Sequence, residues 1–255
     1  MKKNNPSKII RIHASINELV KVVKFLKPIV KNQEVLVVGS APFSNFNSYH
    51  PGMKVINVNG SRFRNSGLGI NKTDVTFLDC EVLDPKINRV KENRRELFEN
   101  RILTAANLGI LVQSQSNDST GGDPNAYGLS FDCNLWMNRF TRRLLLLLLC
   151  RNFHLESNRK SVLSTGGIAL ATVALLKPKS ITLTGFSFFK SINSEDPPKA
   201  YNLDIQSSFD DLEDTRSHSS ADSFLISFLS LRDGNIFSRD KDLLPLIHNW
   251  GSQNE

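Results

Sequence analysis

The stretch that most constrains the fold runs from 161 to 189 and has the sequence SVLSTGGIALATVALLKPKSITLTGFSFF. It begins with small polar residues and glycines, and an apolar run of helical length follows at 168–176 until Pro178 stops it. Residues 180–184 then combine β-branched and apolar side chains, which predicts a buried strand ending at Gly185. The stretch therefore predicts a loop, a helix and a strand.

The turn at 164–167 is a candidate anion site. A glycine-containing turn that opens a helix leaves backbone N–H groups without intrahelical acceptors, and the helix dipole favours negative charge there. The turn therefore predicts a cradle for a phosphate or a carboxylate. The alternative is an ordinary connection of an α/β protein, and this stretch alone does not decide between the two.

Further apolar segments predict strands earlier in the chain, at 35–39, 55–59, 74–78 and 109–113. Helical patterns lie between and around the strands, at 17–27 with Pro28 interrupting, at 134–150 and at 221–231. The strands are followed or ended by Gly39, Asn59, Asp79, Gln113 and Gly185. This alternation predicts an α/β fold, a Rossmann-like parallel twisted sheet with helices on both faces and polar groups delivered to one edge.

The charge and the cysteines bound the function class. The net charge of +7 suits a nucleic acid, an anionic membrane surface or a nucleotide-sugar substrate. Basic runs are usually solvated faces, so we expect no nucleic acid partner.

Cys80, Cys133 and Cys150 are odd in number and match no zinc spacing, which favours a reduced, cytoplasmic compartment. The N-terminus lacks the pattern of a signal peptide.

A run of leucines at 144–149 follows two arginines. It is far shorter than the ~20 apolar residues that a membrane span needs. The run predicts a buried helix, and a helix that touches a membrane surface is the alternative.

Short motifs, in order along the chain, resemble the bacterial sialyltransferases of glycosyltransferase family 42, the lipo-oligosaccharide sialyltransferase type. The resemblance covers about 34–231 and is most specific from 164 to 222. The motifs are GSAP from Gly39, Asn59 after the second strand, STG at 164–166, ITLTGFSF, YNLD at 201–204 and HSSAD at 218–222.

The resemblance implies a GT-A-like variant that moves sialic acid from CMP-sialic acid to a glycan or glycolipid acceptor, inverts the anomeric centre and needs no metal or cofactor. It implies His218 as general base and Tyr201 as a hydrogen-bond donor to the leaving phosphate. A peripheral contact with the inner membrane and a homo-oligomer are open expectations. The implied donor-binding residues are Gly39, Ser40, Ala41, Asn59, Asp79, Ser164, Thr165, Gly166 and Ser187.

The residue patterns also suggest a division of the chain. Residues 1–33 form a basic N-terminal lead-in, 34–189 the nucleotide-binding domain, 190–217 a flexible lid, and 218–255 a C-terminal helix and tail that pack on the same domain.

Some positions depart from the family pattern. Ser40 stands where the family has an asparagine, Ser187 where it has an aspartate, and Phe189 where it has a second phosphate-binding tyrosine. Asp79 stands where the family has an asparagine. These departures leave the fold expectation unchanged, but they open the donor to another CMP-linked ulosonic acid.

The chemistry also has a basis in the residues themselves. A histidine suits the deprotonation of an acceptor hydroxyl because its ordinary pKa lies near working pH, and Asp222 is placed four residues after His218 to orient it. The alternative is that a neighbouring serine caps the helix and His218 is a surface residue. Likewise, Tyr201 could pack over nearby prolines, and Asp79 could cap the next segment.

Two other functions remain open at this point. The chain could be a non-catalytic nucleotide- or glycan-binding module that has lost donor contacts. It could also be an NAD(P) oxidoreductase, but the missing GxGxxG and the Asn59 that stands where an acidic residue would end the second strand argue against this.

Overall fold

The structure is a computed structural model, and it describes residues 8–39, 46–59, 61, 67–79, 108–112, 133–151, 162–186, 212–241 and 243–247. The strands in these ranges are β1 Glu34–Val38, β2 Lys54–Val58, β3 Val75–Asp79, β4 Leu108–Val112, β5 Cys133–Met137, β6 Ser180–Thr184 and β7 Ile236–Ser238. The α-helices there are α1 Lys8–Val30, α2 Arg139–Cys150, α3 Thr165–Leu175 and α4 Leu212–Asp233.

The strands form one sheet in the order β5-β4-β3-β2-β1-β6-β7, and every neighbouring pair is parallel. Successive strands run outward from β1 to β5, and the chain then crosses to β6 on the other side of β1. The strand order therefore reverses between β1 and β6. In open α/β sheets this reversal marks the ligand-binding crevice, outside the edge where the strands end, here called the carboxyl edge. The predicted parallel α/β sheet is confirmed.

The two faces of the sheet carry separate apolar clusters. Val35 and Val37 of β1 belong to the large core, to which all four described helices contribute. Leu36 and Val38, on the opposite face, pack in a smaller cluster with Met53, Leu68 and Ile70. The described helices therefore cover one face, and the helices predicted for the other face stay a prediction.

The N-terminal helix is longer than predicted. It runs from Lys8 to Val30 with Pro28 inside, rather than stopping before that proline. Pro28 lies in the last turn, where its missing N–H removes one backbone hydrogen bond from a helix that is already ending. The side chains of Leu19, Val22 and Leu26 are buried in the large core, which stabilises the helix by tertiary packing. The domain boundary at residue 33 stays a prediction.

The helix predicted at 134–150 is wrong at its start, because β5 occupies Cys133–Met137. Leu135 and Met137 are buried while Asn134 and Trp136 are exposed, which is the alternation of a strand rather than the period of a helix. The segment is too short for that alternation to stand out beside the leucine run that follows. In α2 the run divides, with Leu145, Leu146 and Leu149 buried and Leu148 exposed.

The last helix also begins earlier than predicted. Residues 212–217, assigned to the lid, belong to α4, and so His218 lies within a helix rather than at its start. Residues 190–211 of the predicted lid lie outside the described residues. The strand predicted at 180–184 is confirmed at both ends, and β1 to β4 are confirmed to within one residue.

Candidate active site

Gly39, the residue directly after β1, lies at the point where the strand order reverses between β1 and β6. The Gly39 N–H donates to the Thr184 carbonyl oxygen at 2.8 Å, which extends the β1–β6 pairing beyond the strands. A Cβ at residue 39 would overlap the carbonyl oxygen of Gly185 and would lie 3.0 Å from the ring of Phe186. The chain ends of β1 and β6 can therefore meet this closely only because residue 39 has no side chain.

The predicted anion turn lies at the same place. A Cβ at Gly166 would lie 2.8 Å from the ring of Phe186, the residue that follows β6 and that also contacts Gly39. Ser164 caps α3, and its Oγ accepts a hydrogen bond from the Gly167 N–H at 3.0 Å. The structure thus brings the Gly39 turn and the 164–167 turn together at the carboxyl edge of β1 and β6.

A buried carboxylate joins this turn to α4. The Asp222 side chain, 6% exposed, accepts hydrogen bonds from the Ser164 backbone N–H at 3.0 Å and from the Ser164 hydroxyl. A Cβ at Gly167 would overlap Asp222 Oδ1, so the glycine makes room for this contact. The Ser164 hydroxyl therefore gives its proton to Asp222 and its lone pair to Gly167.

These contacts determine which N–H groups remain at the helix start. The first intrahelical bond runs from the Ile168 N–H to the Ser164 carbonyl at 2.9 Å. The N–H of Ser164 is bound to Asp222 and that of Gly167 to the Ser164 hydroxyl. The N–H groups of Thr165 and Gly166 are left without an intrahelical acceptor, as expected for the first turn of a helix.

The backbone of His218 lies near this turn. His218 stands one helical turn before Asp222 on α4, about 6 Å along the helix axis at 1.5 Å per residue. The backbone of residue 218 is therefore one helical turn from the residue whose side chain binds Ser164. The prediction that Asp222 orients His218 stays a prediction, and the binding of Asp222 to Ser164 is a role that the sequence did not reveal.

Asn59, after β2, and Asp79, at the end of β3, meet at the carboxyl edge beside β1. Asn59 has a positive φ of 49°, and its Oδ1 accepts a hydrogen bond from the Asp79 N–H at 2.9 Å. This bond ties the ends of β2 and β3 together. With strands about 4.8 Å apart, Asn59 lies one strand spacing and Asp79 two from the end of β1. Their predicted contacts with a donor stay predictions.

Asp240 is a second carboxylate at this edge, and the sequence did not single it out. Its Oδ2 accepts a hydrogen bond from the Gly185 N–H at 2.6 Å, and its Oδ1 accepts one from the Thr184 hydroxyl at 3.1 Å. The Ser238 hydroxyl donates to the Leu183 carbonyl and accepts from the Asp240 N–H. Ser-x-Asp after a strand is a common turn pattern, so nothing in it signalled this role.

The remaining predicted site residues, Ser40, Ala41, Ser187 and Tyr201, lie outside the described residues, as does Phe189. Within the described part of the chain, no three or more His, Cys, Asp and Glu side chains are grouped so that they could hold a metal ion. In that same part, no helix combines the length and the apolar character that a membrane span requires.

The fold is similar to that of solved sialyltransferase structures from Campylobacter jejuni. The monofunctional α-2,3-sialyltransferase Cst-I shares 17% sequence identity over 82% of this chain and 76% of that chain, with a TM-score of 0.49. CstII in complex with cytidine-5'-monophosphate shares 14% identity over 84% of this chain and 83% of that chain, with a TM-score of 0.46. No protein-family model matches the sequence, and no curated protein matches it.

Proposed function

We propose that this chain is an inverting glycosyltransferase of the family 42 type, which moves sialic acid or a related ulosonic acid from its CMP donor to a glycan or glycolipid acceptor. It needs no metal or cofactor and works in the cytoplasm, in peripheral contact with the inner membrane. The observation that carries the proposal is the Asp222–Ser164 contact, which joins the helix of the HSSAD motif to the STG turn at the reversal point of the sheet.

The donor phosphate binds at the start of α3. The N–H groups of Thr165 and Gly166 point out of the first turn, and the helix dipole adds positive potential there. Asp222 places a negative charge beside the same helix end, and its oxygens are bound to Ser164. In this proposal the remaining N–H groups and Tyr201 hold the phosphate, and Gly39, Ser40 and Ala41 contact the cytidine side of the donor. Asn59, Asp79 and Ser187 complete the donor contacts.

His218 then acts as general base. It takes the proton from the acceptor hydroxyl, whose oxygen attacks the anomeric carbon from the face opposite CMP. The bond between that carbon and the phosphate oxygen breaks, and its electron pair leaves with CMP. Tyr201 donates a hydrogen bond to the departing phosphate, which stabilises the charge that develops in an oxocarbenium-like transition state. Asp222 touches no substrate in this scheme and keeps the helix of His218 in position against the donor turn.

The test is the release of CMP from CMP-sialic acid by the purified chain. We expect the wild type to release CMP and His218→Ala to lose about 10²–10⁴-fold in rate, the usual contribution of a general base. His13→Ala is the matched control, because His13 is exposed on α1 and should leave the rate unchanged.

Two results would overturn the proposal. If His218→Ala keeps the wild-type rate, His218 is not the base. If the wild type binds CMP but releases none from any CMP-ulosonate donor, the chain is a binding module rather than an enzyme.

A further inference from the structure

A groove on the outer side of the helix layer exposes apolar side chains among lysines. We call it the α1–α2 groove, and its volume is about 780 Å³. Val20 of α1 and Leu148 of α2 are 58% and 57% exposed, although both are fully apolar. The groove is lined by Leu19, Val20, Val23, Lys24, Lys27, Pro28, Lys31, Leu148 and Leu175.

The exposed residues of α1 form a continuous line. Ile12, Ile16 and Val20 follow one another at spacings of four residues, which keeps them on one flank of the helix, and they are 51%, 40% and 58% exposed. The same spacing leads on to Lys24, after which the flank continues through the other lysines of the groove. The flank is therefore apolar toward the start of α1 and basic toward its end.

The two helices that border the groove contain little negative charge. The sequences of α1 and α2 contain a single acidic residue, Glu18. Its carboxylate accepts hydrogen bonds from the Thr141 hydroxyl at 2.6 Å and from the Asn138 N–H at 3.3 Å, so it is bound at the contact between the two helices. The groove thus combines exposed apolar side chains with lysines, and no described residue that lines it is acidic, which is the pattern of helices that lie on anionic membranes.

We propose that the α1–α2 groove is the surface by which this protein lies on an anionic lipid bilayer, with Val20 and Leu148 entering the interface and Lys24, Lys27 and Lys31 contacting lipid phosphates. A second copy of the chain fits less well, because the net charge is +7 and a symmetric contact would bring the same lysines together. The inference rests on the membrane contact proposed above, but not on the transfer reaction.

The exposed line of α1 and the groove lie toward opposite edges of the sheet. Glu18 and Ser15 of α1 contact Asn138 and Thr141, where α2 begins directly after the carboxyl end of β5. The start of the α1 line therefore lies beside the carboxyl edge. The groove itself lies toward the amino edge, because α1 and α3 end near Lys31 and Leu175, just before β1 and β6 begin.

The test is co-sedimentation of the full chain with vesicles of phosphatidylcholine alone and of phosphatidylcholine mixed with phosphatidylglycerol. We expect binding to the mixed vesicles only. The variant Lys24→Glu/Lys27→Glu/Lys31→Glu should lose about a hundredfold in affinity, because each basic residue near an anionic surface contributes severalfold. The matched control Lys21→Glu/Lys72→Glu/Lys241→Glu makes the same change of net charge at exposed lysines outside the groove and should lose only a fewfold.

A second variant tests the apolar part. Val20→Ser/Leu148→Ser replaces exposed side chains, so it should keep the wild-type melting temperature while losing about tenfold in vesicle affinity.

Equal losses of vesicle affinity in both lysine variants would overturn the proposal in favour of a diffuse charge effect. A dimer in sedimentation velocity that Val20→Ser/Leu148→Ser dissociates would make a second copy the occupant instead. CMP release from a soluble donor is measured in parallel and should not change, so failure of the surface and failure of the enzyme are distinguishable.

Discussion

The two ends of the β1–β6 strand pair are built differently. At the carboxyl end, the buried Asp222 and the partly buried Asp240 accept hydrogen bonds from backbone N–H groups, and Gly39 has no room for a side chain. At the amino end, Glu34 forms an ion pair with Lys179 at 2.7 Å, and its other carboxylate oxygen lies 3.1 Å from Nε2 of His50, with both partners of Glu34 exposed.

The difference teaches where this fold tolerates change. Ion pairs in water are screened and cost side-chain entropy, so the amino end should accept substitutions at little cost. A carboxylate buried against N–H groups leaves unpaired donors when it is removed, so the carboxyl end should not. The proposed site therefore lies at the end of this strand pair that should tolerate less change.

The largest effect is expected from Asp222→Ala. It leaves the Ser164 N–H and hydroxyl without their acceptor and should lower the free energy of unfolding by about 3 kcal/mol. Asp222→Asn is the matched control, since its amide oxygen can still accept one of the two bonds and should lose about half as much. Chemical denaturation measures both. A loss under about 1 kcal/mol for Asp222→Ala would break the comparison between the two ends.

Gly39→Ala should have the next largest effect. The added Cβ overlaps the Gly185 carbonyl oxygen, a backbone atom that cannot rotate away, so we expect a loss of about 2 kcal/mol in unfolding free energy. Gly69→Ala separates this clash from backbone strain, because Gly69 has a φ of +70° but open space around it, and should cost about 1 kcal/mol. If both substitutions lower the unfolding free energy equally, the ends of β1 and β6 can move apart to make room for the added Cβ.

The smallest effect is expected at the amino end and depends on pH. The hydrogen bond and the charge of Lys179 lower the pKa of Glu34, burial opposes them, and His50 adds a smaller lowering effect. Because the folded-state pKa lies below the ordinary value of 4.5, the stabilisation is complete above that pH and is lost as pH falls through the lowered value. The melting temperatures of wild type and Glu34→Gln should therefore differ slightly at neutral pH and converge in acid. Divergence in acid would contradict this sign.

The sequence predicted the sheet well and its helices less well. Strands β1 to β4 are short, mostly apolar runs with almost all residues buried, which is how buried parallel strands differ from their surroundings, and the predicted bounds of β6 match the structure at both ends. The edge strand β5 was missed because one face of it is exposed and its five residues precede a stronger helical signal. The sequence does not predict the start of α4 because residues 213–217 are polar and show no apolar period.

Part of the candidate site was also within reach of the sequence. The sequence marks small residues at 39, 166 and 167, and the structure gives the reason. Gly39 and Gly166 leave no room for a side chain beside Phe186, and Gly167 makes room for Asp222. The partners Asp222 and Asp240 bind residues more than fifty positions away along the chain, through contacts that exist only once the sheet has formed. No local pattern encodes such contacts.

The most direct test of the central claim, that the N–H groups opening α3 hold the phosphate of CMP, is calorimetric binding of CMP to Thr165→Pro. Residue 165 is the first residue of α3, where proline is tolerated, and Ser164 before it has the extended backbone that proline requires, with φ −66° and ψ 168°. The substitution removes one proposed phosphate donor and keeps the helix, while Thr165→Ala removes only the side chain. We predict that Thr165→Pro loses about 10–100-fold in CMP affinity relative to Thr165→Ala, and that cytidine, which has no phosphate, binds both equally. Equal CMP affinity of the two variants would contradict the claim.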